Sequence, residues 1–90
     1  MDYRVTCITK PNRLSAHEHI TAIGNGRQKW SREDAIRKIE SNTDTFYTVD
    51  STTGKRAYVG VIRETGKNPY LRTHADGKWN DNLLALAECS

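Results

Sequence analysis

Residues 30–41 read Trp30-Ser31-Arg32-Glu33-Asp34-Ala35-Ile36-Arg37-Lys38-Ile39-Glu40-Ser41, and this stretch decides the fold class. Ser31 has the short oxygen-bearing side chain that caps a helix N-terminus. Glu33 and Asp34 follow where the helix dipole favours carboxylates, and Arg37 and Lys38 sit near the end where it favours cations. Ala35, Ile36 and Ile39 form one apolar stripe at helical spacing, predicting an amphipathic helix over Arg32 to Ser41. Trp30, just before the cap, is placed to fold back on Ala35 as a hydrophobic staple. A helix of roughly three turns is not stable alone in water, so it must dock on something.

What surrounds it reads as strands. Before the helix, Tyr3, Val5 and Cys7 alternate with Arg4, Thr6 and Lys10, predicting a first strand in which Ile8 is the exception. Turn chemistry at Pro11-Asn12-Arg13 and Ser15 leads to a second strand, His19 to Ile23, ending at Gly24. Gly24-Asn25-Gly26 opens a loop. After the helix, Phe46-Tyr47-Thr48-Val49 and Ala57 to Ile62 are rich in aromatic and β-branched residues and flank Ser51-Thr52-Thr53-Gly54, which predicts a hairpin. Tyr70-Leu71-Arg72-Thr73 reads as a shorter fifth strand, Asp76-Gly77 as a turn, and Asn82 to Leu86 as either a strand or a helical turn. The expectation is one α+β domain over residues 1–90. It has a mostly antiparallel sheet of about five strands, in the order β-β-α-β-β-β, with the single helix packed on one face.

Composition sets limits on function. Leu, Ile, Val and Phe make up 16 of the 90 residues, below the roughly 20% that accompanies disorder in highly charged chains. The net charge is only +3, and two Trp with four Tyr supply large buriable surface, so a folded domain with a modest core is expected. The start has no basic region followed by an apolar stretch. No apolar run approaches the roughly 18 residues of a membrane span, which predicts a cytoplasmic protein without membrane contact. Cys7 and Cys89 form no CxxC unit and lie far apart in sequence, which predicts two buried, reduced thiols.

Several runs resemble one family. These are Arg4-Val5-Thr6-Cys7-Ile8, His17-Glu18-His19-Ile20, Ala35-Ile36 with Ile39-Glu40, Phe46-Tyr47, Tyr70-Leu71-Arg72-Thr73, Ala75-Asp76-Gly77, Trp79-Asn80-Asp81-Asn82-Leu83-Leu84 and the closing Cys89. The chain is similar over nearly its whole length to small bacterial proteins catalogued as domain of unknown function 3892. The resemblance implies a bacterial-type single-domain protein and carries no activity onto any residue.

The residues exclude more chemistry than they assign. His17, His19 and His74 with Cys7 or Cys89 lack the paired clusters of a zinc site, so no metal and no cofactor are expected. Nucleophile-elbow and phosphate-loop patterns are absent. Arg72, His74, Asp76 and Asp81 could cluster as a small hydrolase site, although aspartates beside Gly77 and Asn82 more often cap turns. The stronger signal is the distribution of charge: residues 27–38 hold five basic and two acidic residues, and residues 55–72 hold five and one. Basic zones with aromatic residues beside them are what a phosphate backbone and stacked bases need. The leading expectation is therefore a non-enzymatic interaction domain that binds nucleic acid. In it Arg27, Lys29, Arg56, Lys67 and Arg72 neutralise phosphates, and Trp30 or Tyr70 stacks if exposed. The competing reading is a protein–protein module, or an accessory to neighbours in an operon, anchored on an exposed Trp79 or an open sheet edge.

Overall fold

The computed structural model describes residues 1–11 and 16–89. Its strands are β1 (Asp2–Arg4), β2 (Cys7–Thr9), β3 (Ala22–Gly24), β4 (Lys29–Ser31), β5 (Thr45–Val49), β6 (Arg56–Ile62), β7 (Tyr70–Ala75), β8 (Lys78–Asn80) and β9 (Ala87–Glu88). One helix, α1 (Arg32–Glu40), and a 3-10 turn at His17–His19 complete the described elements.

The helix lies where its cap and periodicity place it. Ser31 Oγ accepts a hydrogen bond from the Asp34 amide at 3.1 Å. The helix stops one residue earlier than expected, because Asn42 takes a left-handed conformation with φ of 59°. The Asn42 amide then reaches Ile39 O and the Thr43 amide reaches Lys38 O, which satisfies the carbonyls left free at the helix end.

The α+β class holds, but the single, mostly antiparallel sheet is replaced by two mixed sheets. Five strands lie in the order β1-β5-β6-β7-β8, parallel only between β1 and β5. Four lie in the order β4-β3-β2-β9, parallel only between β2 and β9. The cause is a change of partner inside the expected first strand. The Val5 amide donates to Tyr47 O in the larger sheet, and the next amide, that of Thr6, donates to Gly24 O in the smaller one. This break resets the alternation, so that Val5 and Ile8, three residues apart, are both buried. The expected second strand begins later, at Ala22, and pairs antiparallel with β2 as anticipated. β4 and β8 were not expected as strands. Residues 82–86 form turns, with Ala85 N bonded to Asp81 O and Leu86 N to Leu83 O, before the chain enters β9. The turn expected at Asn12, Arg13 and Ser15 lies outside the described residues.

The two sheets and the helix share one core. Ile8 and Ile23 come from the smaller sheet, Ala35 and Ile36 from α1, and Phe46, Val59 and Leu71 from the inner face of the larger sheet. Trp30, expected against Ala35, packs its indole between Tyr3 and Phe46, with ring centroids 4.9 Å from each.

The cysteines overturn the expectation of two free thiols. Cys7 and Cys89 form a disulfide with 4.9 Å between their Cα atoms. β9 runs parallel to β2, and the Cys89 amide donates to Ile8 O at 2.8 Å, so pairing in the smaller sheet delivers the two residues to one place. Separation in sequence was a poor guide because the entropy of closing a loop grows only logarithmically with its length. Gly24, opposite Cys7 in β3, leaves room for the bridge: a Cβ there would lie 3.1 Å from Cys89 Sγ and 3.2 Å from Cys7 Sγ.

Among the described residues, no helix is long and apolar enough to cross a membrane.

Candidate nucleic-acid interface

The seven residues singled out from the sequence do not converge. Arg27 and Lys29 are exposed on the β3–β4 hairpin of the smaller sheet. Trp30 and Tyr70 are each only 8% exposed, which removes both as stacking platforms. The Tyr70 hydroxyl donates to Glu64 at 3.3 Å; burial first, then the Glu64 charge, pushes this phenol above its ordinary range. Lys67 Nζ lies 3.3 Å from the same Glu64. Arg72 donates through Nε to Asn80 O at 3.2 Å and through Nη2 to Asp81 at 3.0 Å. Of the seven, Arg56 alone stands on an aromatic surface, its guanidinium 4.2 Å from the Tyr47 ring centroid and its Nη1 3.2 Å from Asp2.

That surface is the outer face of the larger sheet. Alternation turns Phe46, Ala57, Val59 and Thr73 inward, where they are buried, and sends their neighbours outward. The register sets Arg4 opposite Tyr47, Tyr47 opposite Tyr58, Tyr58 opposite His74 and His74 opposite Trp79. One residue from each of the five strands thus stands in a single transverse row of one cation and four aromatic rings. Trp79 is 47% exposed and Tyr58 36%. Tyr47 and Tyr58 have ring centroids 5.9 Å apart, and His74 meets Trp79 edge-on at 5.4 Å.

Two local features hold the row in place. Gly60 lies beneath the Trp79 ring: a Cβ there would sit 3.0 Å from both Trp79 Cη2 and His74 Cδ2, so the glycine lets the indole lie against the sheet. Asp76 and Gly77, with φ of 54° and 75°, form the tight turn that pairs Ala75 with Lys78 and so brings Trp79 across from His74. Beside the row, Lys55, Arg56, Tyr58, His74 and Asp76 line a shallow concavity of about 440 Å³. Arg4, Lys55, Arg56 and Arg72 supply four cations to this face, Arg72 standing opposite Gly60 and held by Asp81. Asp2 and Asp76 supply two carboxylates, and Arg56 already engages Asp2.

The hydrolase grouping is not assembled. Asp81 accepts from Arg72, and its other near neighbour is His17, not His74. Among the described residues, no three His, Cys, Asp or Glu side chains are grouped to hold a metal ion.

His17 belongs to a structural cluster instead. Its 3-10 turn packs against β7. Its Nε2 is buried without a hydrogen-bond partner, 3.6 Å from the Asp81 carboxylate. Burial, and next the Arg72 charge, hold its pKa below the ordinary histidine value, with Asp81 opposing in part. In the window below 6.5 the unfolded chain therefore binds the proton more readily than the folded one. The contribution of His17 is complete above pH 6.5 and is lost as the pH falls toward the folded pKa. Urea denaturation at stepped pH between 7.5 and 5 should show stability falling through this window, with a flatter profile for His17→Gln. Identical profiles would show that burial of His17 carries no such linkage.

The register of the row, and no single residue type, was what the sequence did not disclose. The Asp76-Gly77 pair between His74 and Trp79 is the signal that could have revealed its outer end. Compared with known proteins, the family described as Protein of unknown function (DUF3892) matches residues 4–87. No curated protein and no solved structure matches the chain.

Proposed function

The chain belongs to the DUF3892 family, and on that premise we propose that it is a non-enzymatic interaction domain that binds single-stranded nucleic acid on the outer face of its larger sheet. The observation that carries the reading is the transverse row Arg4, Tyr47, Tyr58, His74 and Trp79, with both Tyr58 and Trp79 open to solvent. An open sheet face bearing aromatic rings accepts unstacked bases, each contributing about 1–3 kcal/mol, and nearby cations track the phosphates. Arg4, Lys55 and Arg56 are suited to that second task. Duplexes, whose bases are already stacked on one another, are poorer ligands for such a face.

Fluorescence anisotropy with labelled single-stranded RNA and DNA, matched duplexes and heparin as a competing polyanion tests this. Single strands should bind more tightly than duplex, and affinity should fall steeply with added salt. Tyr58→Ala and Trp79→Ala should each weaken binding roughly ten- to hundredfold. Affinity indifferent to both substitutions, or no binding at low salt, overturns the reading. The second reading is a protein–protein module on the same face, favoured by the half-exposed Trp79 beside arginines, a composition that interface centres share. It predicts no anisotropy change with any of these nucleic acids.

A further inference from the structure

A second concavity lies on the smaller sheet, away from the aromatic row. It is about 360 Å³ in volume, and its walls include Thr6, Arg27, Lys29, Glu88 and both members of the disulfide, Cys7 and Cys89. The two cysteines are half-buried, whereas Arg27 and Lys29 are exposed. Neither cation has a carboxylate within ion-pairing distance among the described residues. A disulfide set in the wall of a hollow, with two uncompensated cations against one carboxylate, is where a negatively charged thiol would be drawn.

We infer that the Cys7–Cys89 disulfide is a site of thiol–disulfide exchange with small anionic thiols, guided into this concavity by Arg27 and Lys29. The incoming thiolate sulfur bonds to Cys89 Sγ while the Cys7–Cys89 bond breaks, and the electron pair of that bond leaves on Cys7 as a thiolate. One disulfide is consumed and one mixed disulfide is formed, so the step needs no separate oxidant or reductant. Attack falls on Cys89 because the sulfur that reacts is set by access. Cys7 lies in β2, between β3 and β9, whereas Cys89 follows the two-residue edge strand β9 and can carry an adduct outward. The neighbouring cations favour the Cys7 thiolate as leaving group.

The test uses the intact oxidised chain with reduced glutathione as the anionic probe and cysteamine as the cationic one. Exchange rates are followed by intact mass and divided by each probe's thiolate fraction, and the adduct is located by peptide mapping. Glutathione should react roughly fivefold faster at low ionic strength and form its adduct on Cys89. Added salt at about 0.5 M should bring the ratio near one. So should Arg27→Gln with Lys29→Gln, both exposed positions whose folding is checked by circular dichroism. Equal rates at low salt, an adduct confined to Cys7, or exchange seen only after unfolding in urea would each overturn the inference.

Discussion

Replacing Cys7 and Cys89 together by serine should lower the free energy of unfolding by about 4.5 kcal/mol, the chain-entropy value for a loop of this length. The bridge spans 82 residues of sequence and so encloses nearly the whole fold. A domain of this size commands roughly 5–15 kcal/mol in total, so the loss removes a large part of its stability. It should lower the melting temperature by on the order of 20 °C. Urea denaturation of the oxidised chain, the double variant and the wild type held in reductant provides the measurement. The last two should coincide. A loss below about 1 kcal/mol would mean that β9 and its packing hold the C-terminal segment in the unfolded ensemble nearly as well as the bond does.

Phe46→Ala should cost about 3–5 kcal/mol, the range for emptying a buried phenylalanine site. Phe46 is fully buried and is the largest of the side chains that are. Its ring lies 5.8 Å from that of Tyr3 and meets the Trp30 indole nearly perpendicularly at 4.9 Å, so it joins β1, β4 and β5 in one aromatic cluster. Those two neighbours belong to different sheets, β1 to the larger and β4 to the smaller, and collapse into the vacated space would require the sheets to shift relative to each other. Phe46→Leu, which keeps most of the volume, should cost much less. Equal losses for the two substitutions would show that ring geometry, and not filled volume, is what the site rewards. Phe46 also stands beside Tyr47 in β5, and the alanine variant is expected to loosen the inner end of the aromatic row.

The parts of the fold that follow from local chemistry were legible in the sequence. Ser31, the acidic first turn and the Ala35-Ile36-Ile39 stripe place α1 within a residue of its observed end. The β5–β6 hairpin lies where its aromatic and β-branched runs predict. What stayed hidden depends on partners distant in sequence. Nothing in Val5-Thr6 announces that one amide will serve one sheet and the next the other. β8 is three residues, Lys-Trp-Asn, with no alternation long enough to read. Parallel pairing of β2 with β9 is a tertiary event, and the disulfide follows from it. The site shows the same division. Aromatic residues are visible in the sequence, but their exposure is not: Tyr70, next to buried Leu71, is covered, while Tyr58, between the inward-facing Ala57 and Val59, is open. Arg56 and Arg72 are the two expected contacts that the register brought beside the row, Arg72 standing opposite Gly60 beneath the Trp79 ring.

The partner change at Val5 and Thr6 has a consequence for how the chain reaches this state. The first nine residues supply a strand to each sheet, and both of those strands have parallel partners far along the chain: β1 needs β5, and β2 needs β9. Long-range pairings of this kind raise contact order and slow folding. During synthesis, which proceeds at roughly 5–20 residues per second, the larger sheet can begin to assemble once the β5–β6 hairpin has emerged. The smaller one stays open along β2 until residues 87–89 have emerged from the ribosome. For that interval the β2 edge is an unpaired backbone template, and what guards the nascent chain against mispairing is how soon β9 arrives.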